Sequence, residues 1–381
     1  MAKDDLALYI HIHFCKKRCS YCDFCSTAEG KDREAYLDVL ITQISSAPWR
    51  EDLPQSRELS SIYFGGGTPS LLGTDLVLIL EAIRRAFVLS DDCEITLEAN
   101  PESFSAGLAA DLAQAGFTRV SLGLQALDEQ QLALLGRIHS VEDALSALHA
   151  ARDAELRVSA DLILGLPLPA TPLLKQPLLN ELLSLVGHLS IYPLTIEEGT
   201  ELERMFEAGE IELPSEDEVA QEITNLEQML SQQGFSRYEI SSYARPGQES
   251  RQNTRYWQGG DYLGFGLSAA SMLNHADGSR KRFVMYQDMD QFLQASCTSL
   301  DDATEVDLLS AAEARREDIM LALRTRRGVD SEDVEQAGLG AIAGELVEKN
   351  LLELDSGRYR CTQEGWLLAN IVFAAVWMGN T

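Results

Sequence analysis

Short runs of apolar and β-branched residues recur through the first half of the chain, at residues 6–12, 61–64, 94–99, 119–124, 157–164 and 189–194, and each reads as a strand. Between them, stretches such as 75–87 and 141–154 carry apolar residues three and four apart, the spacing of a helix with one buried face. Repeated strand–helix units with right-handed crossovers give a parallel sheet, either open and doubly wound or curled toward a barrel. Period alone leaves both open. The unusual residues favour the second. Cys15 follows the first strand, Gly65-Gly66-Gly67-Thr68 the second and Gln125 the fourth; Glu98-Ala99-Asn100-Pro101 ends the third, and Asp161 lies in the fifth. Polar and glycine residues gathered at successive carboxyl ends mark the working face of a barrel. The expectation is an α/β fold built on a partial (β/α) barrel.

The pattern changes near residue 241. A stretch rich in glycine and aromatic residues, 252–266, predicts a loop returning to the barrel. From residue 301 the periodicity predicts helices at 308–324, 331–336 and 341–350. A hairpin at 351–361 turning at Asp355-Ser356-Gly357 follows, then a last helix within 366–377. That order resembles a winged helix. Three parts are expected: a barrel at 1–240, a connecting segment at 241–300 and a C-terminal helical, winged-helix-like module at 301–381.

Charge narrows what that module does. The 381-residue chain has a formal net charge of −29, and residues 301–381 hold eight Lys or Arg against sixteen Asp or Glu. Such a surface repels phosphate backbones and anionic lipid, so nucleic acid is excluded as a broad partner and a lid or docking module is expected. The tight basic clusters are Lys16-Lys17-Arg18 and Arg324-Thr325-Arg326-Arg327, both read as solvated surface. No apolar stretch reaches the ~20 residues of a membrane span, so no integral membrane segment is expected. The charged opening Met1-Ala2-Lys3-Asp4-Asp5 lacks a secretory pattern, which predicts a cytoplasmic protein with reduced thiols.

Three of the seven cysteines form the densest chemical signal, Cys15, Cys19 and Cys22, spaced C-x3-C-x2-C on one loop. Structural zinc favours two separated pairs, and Cys93, Cys297 and Cys361 are isolated. Three thiolates on a four-iron cube leave one iron open for a small chelating molecule. The glycine run after the second strand lets main-chain groups approach a ligand closely. Glu98 and Arg137 would supply partners for the ammonium and carboxylate of an amino-acid chelator.

The ordered set C-x3-C-x2-C, GGGTPS, EITLEANPES, SLGLQALDEQQLALLGRIHS, DLILGLP and SIYPLTIEEGT resembles the radical S-adenosylmethionine superfamily, and within it the oxygen-independent coproporphyrinogen III oxidase family. The oxidase proper carries a fourth cysteine in a C-x-C pair; here Cys25 lies three residues past Cys22. That spacing, Gly136-Arg137-Ile138-His139-Ser140, and Asn253-x-x-Tyr256-Trp257 followed by GGDYLGFG are similar to the heme-chaperone branch.

The resemblance implies a 4Fe-4S cluster on Cys15, Cys19 and Cys22. It implies S-adenosyl-L-methionine contacts at Tyr9, Gly66, Gly67, Thr68, Glu98, Gln125, Arg137 and Asp161. In the family chemistry the reduced cluster passes one electron to the sulfonium, giving methionine and a 5′-deoxyadenosyl radical. The implied ligand is heme or a porphyrinogen, and the implied partner of a chaperone is a heme-acceptor protein. The alternative is an enzyme that decarboxylates a porphyrinogen, as in porphyrin biosynthesis, or a radical methyltransferase.

Two positions depart from the pattern. The usual H-N-x-x-Y-W begins here with Gln252, a poor iron ligand, so heme contact falls to His275 or Tyr256. The proline before Phe14 is His13, expected as a strand-end side chain in solvent in preference to a fourth cluster ligand, and Cys25 is expected to be a bystander.

Overall fold

The computed structural model describes residues 5–23, 27–28, 32–46, 57–167, 169–294 and 303–379. The main sheet contains β1 (Leu6–Ile12), β2 (Glu58–Gly66), β3 (Val88–Ala99), β4 (Arg119–Gln125), β5 (Arg157–Leu164), β6 (His188–Pro193), β7 (Ser236–Arg237), β8 (Ser242–Ala244), β9 (Tyr262–Phe265), β10 (Ala270–Asn274), β11 (Arg280–Met285) and β12 (Ala303–Leu309). Their order is β12-β11-β10-β9-β1-β2-β3-β4-β5-β6-β8-β7. β9 and β1 to β6 run parallel, and the flanking strands are antiparallel. This is the expected α/β sheet, open rather than closed.

β1 and β5 have their predicted ends and β4 and β6 differ by one residue, whereas β2 and β3 run longer because polar residues at their ends pair within the sheet. Helices Asp75–Ala86 and Val141–Asp153 fall within a residue of their predicted ends. The second starts at a capping box, with Ser140 accepting from the Asp143 N–H and Asp143 returning the bond.

The two faces of the sheet differ in kind. Leu8, Ile10, Ile12, Ile62, Phe64, Ile95, Leu97, Val120, Leu122, Val158 and Ala160 point outward into the main core under the helices. Alternate residues, among them Tyr9, His11, Ser61, Tyr63, Glu94, Glu98, Ser121, Asp161 and Ser190, line the inner face. That inner polar lining is what a partial barrel needs in order to hold a polar ligand.

The segment expected as a returning loop enters the sheet instead. Helix Arg251–Trp257 closes the amino end of the barrel, and β9 then pairs in parallel with β1 through Ala7–Tyr262 to Ile10–Phe265. The dense glycines that suggested a loop serve close contacts: a Cβ on Gly264 would stand 2.2 Å from the Ala270 carbonyl oxygen.

The C-terminal part has its own core around Ile319, Leu323, Val329, Leu346, Tyr359 and Phe373. Its helices Ala311–Leu323, Ser331–Gln336 and Gly340–Glu348 are followed by the predicted hairpin, strands Leu352–Asp355 and Arg358–Cys361. The first helix starts later than expected because Leu308 belongs to β12. Arg324 lies between the rings of Trp257 and Phe373, tying this part to the barrel's closing helix. Among the described residues no helix is long and apolar enough to cross a membrane.

Candidate cofactor site at the barrel mouth

Cys15 ends a two-residue strand, Phe14–Cys15, that pairs with Thr27–Ala28 just beyond β1. Cys19 and Cys22 follow on a loop held from both sides. Ser20 donates its N–H to Leu135 O at 3.0 Å and its hydroxyl to Leu134 O at 2.8 Å, while its own carbonyl accepts from Leu202 N at 2.8 Å. Arg18 Nε closes the loop on Cys22 O at 3.1 Å. Gly136, at φ 71°, lets the next segment pass close by; a Cβ there would meet Ser20 N at 3.1 Å. All three cysteines are free thiols, partly exposed.

Two side chains reach Cys15 and Cys19. Thr68 Oγ1 lies 3.7 Å from Cys15 Sγ, and Arg137 Nη1 lies 3.5 Å from Cys19 Sγ. Asn100 joins them, donating from Nδ2 to Thr68 Oγ1 at 3.0 Å and accepting at Oδ1 from Arg137 Nη2 at 2.6 Å. Burial disfavours the Arg137 charge, but Tyr21, Cys19 and Glu102 outweigh it and raise its pKa. Its Nε is buried without a partner.

The glycine run forms a cradle. Gly67 N–H and Thr68 N–H donate to Ile12 O and Phe14 O, both at 2.7 Å, fastening the run to the strand that leads into the cysteines. Gly66 has φ 110°, and a Cβ on it would stand 2.7 Å from the His11 ring. Glu98 accepts from Tyr63 OH at 2.7 Å and from Gly66 N–H at 3.2 Å. Burial pushes its carboxyl up to about 7, the Asp161 charge adding to the effect. Asp161 accepts from Ser121 Oγ at 3.2 Å, and burial pushes it up to about 6. Tyr9 stacks on Tyr63 with centroids 6.2 Å apart, and its phenol is raised by burial and by Glu98. Gln125 sits at the end of β4 with φ 67°, a left-handed conformation uncommon for a side-chain-bearing residue.

The residues singled out in the sequence for the cluster and for S-adenosylmethionine are thus gathered at one mouth. Among the described residues no three His, Cys, Asp or Glu converge as ligands of a single metal ion. Thiolates for separate corners of an iron–sulfur cube stand further apart, and three free thiols beside a glycine cradle suit that group.

Comparison with known proteins agrees. Residues 9–169 match the radical SAM superfamily and residues 309–368 the HemN C-terminal domain. The chain is 33% identical over 382 residues to the heme chaperone HemW of Mycobacterium tuberculosis, covering 98% of this chain and 95% of that one. The chain belongs to the HemW branch of the HemN-like radical S-adenosylmethionine family. It is also 36% identical over 379 residues to radical S-adenosyl methionine domain-containing protein 1, mitochondrial, of Bos taurus, covering 94% of this chain and 84% of that one. The solved structure of the Escherichia coli coproporphyrinogen III oxidase HemN superposes with a TM-score of 0.78 at 24% identity, over 98% of this chain and 90% of that one, and shares the fold.

One expectation within this HemW-like chain changes. His13 is not in solvent: it is 2% exposed, packed beside His11 and edge-on to Phe14. Strand alternation continues past Ile12 and turns it inward. Gln252 is 1% exposed and engaged at both ends, accepting from Ser61 Oγ at 2.7 Å and donating to Tyr256 OH at 2.8 Å. Ser61 lies five residues before Gly66, roughly 16 Å down β2 from the mouth. Of the heme-contact candidates, Tyr256 braces the closed end together with Gln252, and His275 is exposed in the β10–β11 turn. Cys25 and Cys297 lie outside the described residues.

Sequence reading missed Asn100, His11, Tyr63 and Gly136. The alternation Tyr9-x-His11-x-His13 in an otherwise apolar strand signals an inner polar face, and an Asn held extended by a following proline signals a fixed side chain.

Proposed function

We propose that this chain is a heme-handling protein of the HemW type, with a 4Fe-4S cluster on Cys15, Cys19 and Cys22 and S-adenosylmethionine in the pocket beside them. Gly66 and Gly67 would admit the cofactor to the backbone. Glu98 would take its ammonium, Arg137 its carboxylate, and Tyr9, Thr68, Gln125 and Asp161 would complete the wall. When bound, the cluster and cofactor supply one-electron chemistry at the sulfonium. The residues of the chain orient that pair, and the inner barrel holds it away from bulk water.

The observation that favours a chaperone over a porphyrinogen oxidase is the charge of the barrel interior. A tetracarboxylate substrate needs several cations, whereas the wall beneath the cysteines presents Glu98, Asp161, Tyr9, Tyr63 and Tyr192, and Arg137 would be taken by the carboxylate of the cofactor. Heme would bind outside this interior, with His275 as the exposed imidazole, and pass to an acceptor protein. The C-terminal module would act as the lid or docking element, and the thiols imply a reducing, cytoplasmic setting.

One anaerobic experiment tests this. After cluster reconstitution, S-adenosylmethionine and reductant are supplied with heme or with coproporphyrinogen III, and 5′-deoxyadenosine, porphyrin and the Soret band are followed. Stoichiometric heme binding that weakens in His275→Ala, with no porphyrin formed, is the expected result. Turnover of coproporphyrinogen without heme binding would replace the chaperone by the enzyme.

A further inference from the structure

We propose that Asn100 is a positioning residue that joins two of the three cluster cysteines, Cys15 and Cys19, to the cofactor pocket through one hydrogen-bonded arc. The arc runs Cys15, Thr68, Asn100, Arg137, Cys19, with separations of 3.7, 3.0, 2.6 and 3.5 Å. Its direction follows from donor chemistry. Arginine only donates, so the Asn100 oxygen must face Arg137 and its Nδ2 must face Thr68. Thr68 Oγ1 therefore accepts from Asn100, which leaves the hydroxyl hydrogen to point at Cys15.

The residue is fixed from several sides. Pro101 restricts Asn100 to the extended backbone it adopts, at φ −100° and ψ 147°, and Ser103 donates to its carbonyl at 2.9 Å. Gly123 makes room: a Cβ there would stand 3.0 Å from Asn100 Oδ1, and its carbonyl accepts from Arg137 Nη2 at 2.8 Å. Two residues proposed to touch the cofactor, Thr68 and Arg137, are thereby held by one amide that itself contacts neither cysteine. Hydrogen bonds to ligand sulfurs favour the reduced, more negative cluster, so the arc sets its potential as well as its place.

Two variants separate the arms. Asn100→Ala releases both Thr68 and Arg137. Asn100→Asp keeps an acceptor for Arg137 but turns the Thr68 hydroxyl away from Cys15 toward the new carboxylate. In the apo chain at one fixed pH, alkylation resolved by mass spectrometry is expected to slow about threefold to tenfold at Cys15 and Cys19 in Asn100→Ala, as for partial loss of a charge-assisted hydrogen bond. It is expected to slow only at Cys15 in Asn100→Asp, with Cys22 unchanged in both. In the reconstituted chain both variants are expected to show a more negative midpoint potential. The proposal rests on the cluster reading, which a wild-type chain unable to hold iron would sink, while the apo thiol rates test the arc separately. Wild-type rates at Cys15 and Cys19 with an unshifted potential, or an equal change at all three cysteines, would overturn it.

Discussion

The two ends of the barrel use the same inner polar face differently. At the amino end, Glu94 receives Arg157 at 2.8 Å and Arg119 at 3.8 Å together with the Arg251 N–H, and Arg57 meets Asp261 at 2.6 Å. At the mouth, Glu98 and Asp161 face hydroxyls and an amide and, among the described residues, no ion-pair partner, so their carboxyls are pushed up. Paired charges close one end; carboxylates without an ion-pair partner among the described residues, the unbonded Arg137 Nε and glycines at positive φ mark the other. The contrast separates residues that hold the fold from those proposed to bind the cofactor.

The largest effect expected from breaking this contrast is at the closed end. Glu94→Gln removes the counter-charge of the buried Arg119 and the partly buried Arg157 and should cost about 3 kcal/mol, read by urea unfolding, without lowering the iron bound per folded chain. A loss within the range of a surface substitution would show that the amino end is not a charge-paired plug. Next comes Gly66→Val, which adds a side chain against His11 at φ 110°. It should weaken S-adenosylmethionine binding roughly tenfold or more, for ~1–3 kcal/mol of strain, and leave the cluster intact. Equal affinity in calorimetry would reduce the glycine to a turn residue.

A smaller, pH-dependent effect sharpens the mouth. Because Glu98 and Asp161 have folded pKa values raised to about 7 and about 6, the folded apo chain binds more protons than the unfolded one between pH ~4 and ~7. Their contribution to stability is therefore present at the acid end of that window and lost as pH rises through it. Cofactor affinity should move the other way, rising toward pH 7 as Glu98 ionises to meet an ammonium. Glu98→Gln should flatten the affinity profile and leave only the Asp161 part of the stability profile; a wild-type profile already flat would contradict the assignment. Smallest is Gln252→His: since this position is buried between Ser61 and Tyr256, heme affinity should not change, and a tightened Soret titration would place heme at the closed end after all.

Much of this was legible in the residues. The cysteine spacing, the glycine run and the strand–helix rhythm are local, and they predicted the parallel sheet and the mouth. The strand Tyr262–Phe265 was not, because its pairing with β1 is set by residues 255 positions away and its glycines read as a loop. His13 was misplaced because strand parity persists past the end of the apolar run. Asn100 was missed because its partners, Thr68 and Arg137, are brought to it only by the parallel order of β2, β3 and β4. Gln252 is the instructive case: as a motif position it suggested a lost iron ligand, whereas its surroundings make it a brace.

The iron content of Cys19→Ala and Gln252→Ala after anaerobic reconstitution tests the division of the barrel most directly. The account predicts loss of the brown cluster absorbance and of bound iron in Cys19→Ala with an unchanged melting curve, and a full cluster in a less stable Gln252→Ala. A full complement of iron in Cys19→Ala, or a folded Gln252→Ala that cannot hold the cluster, would contradict it.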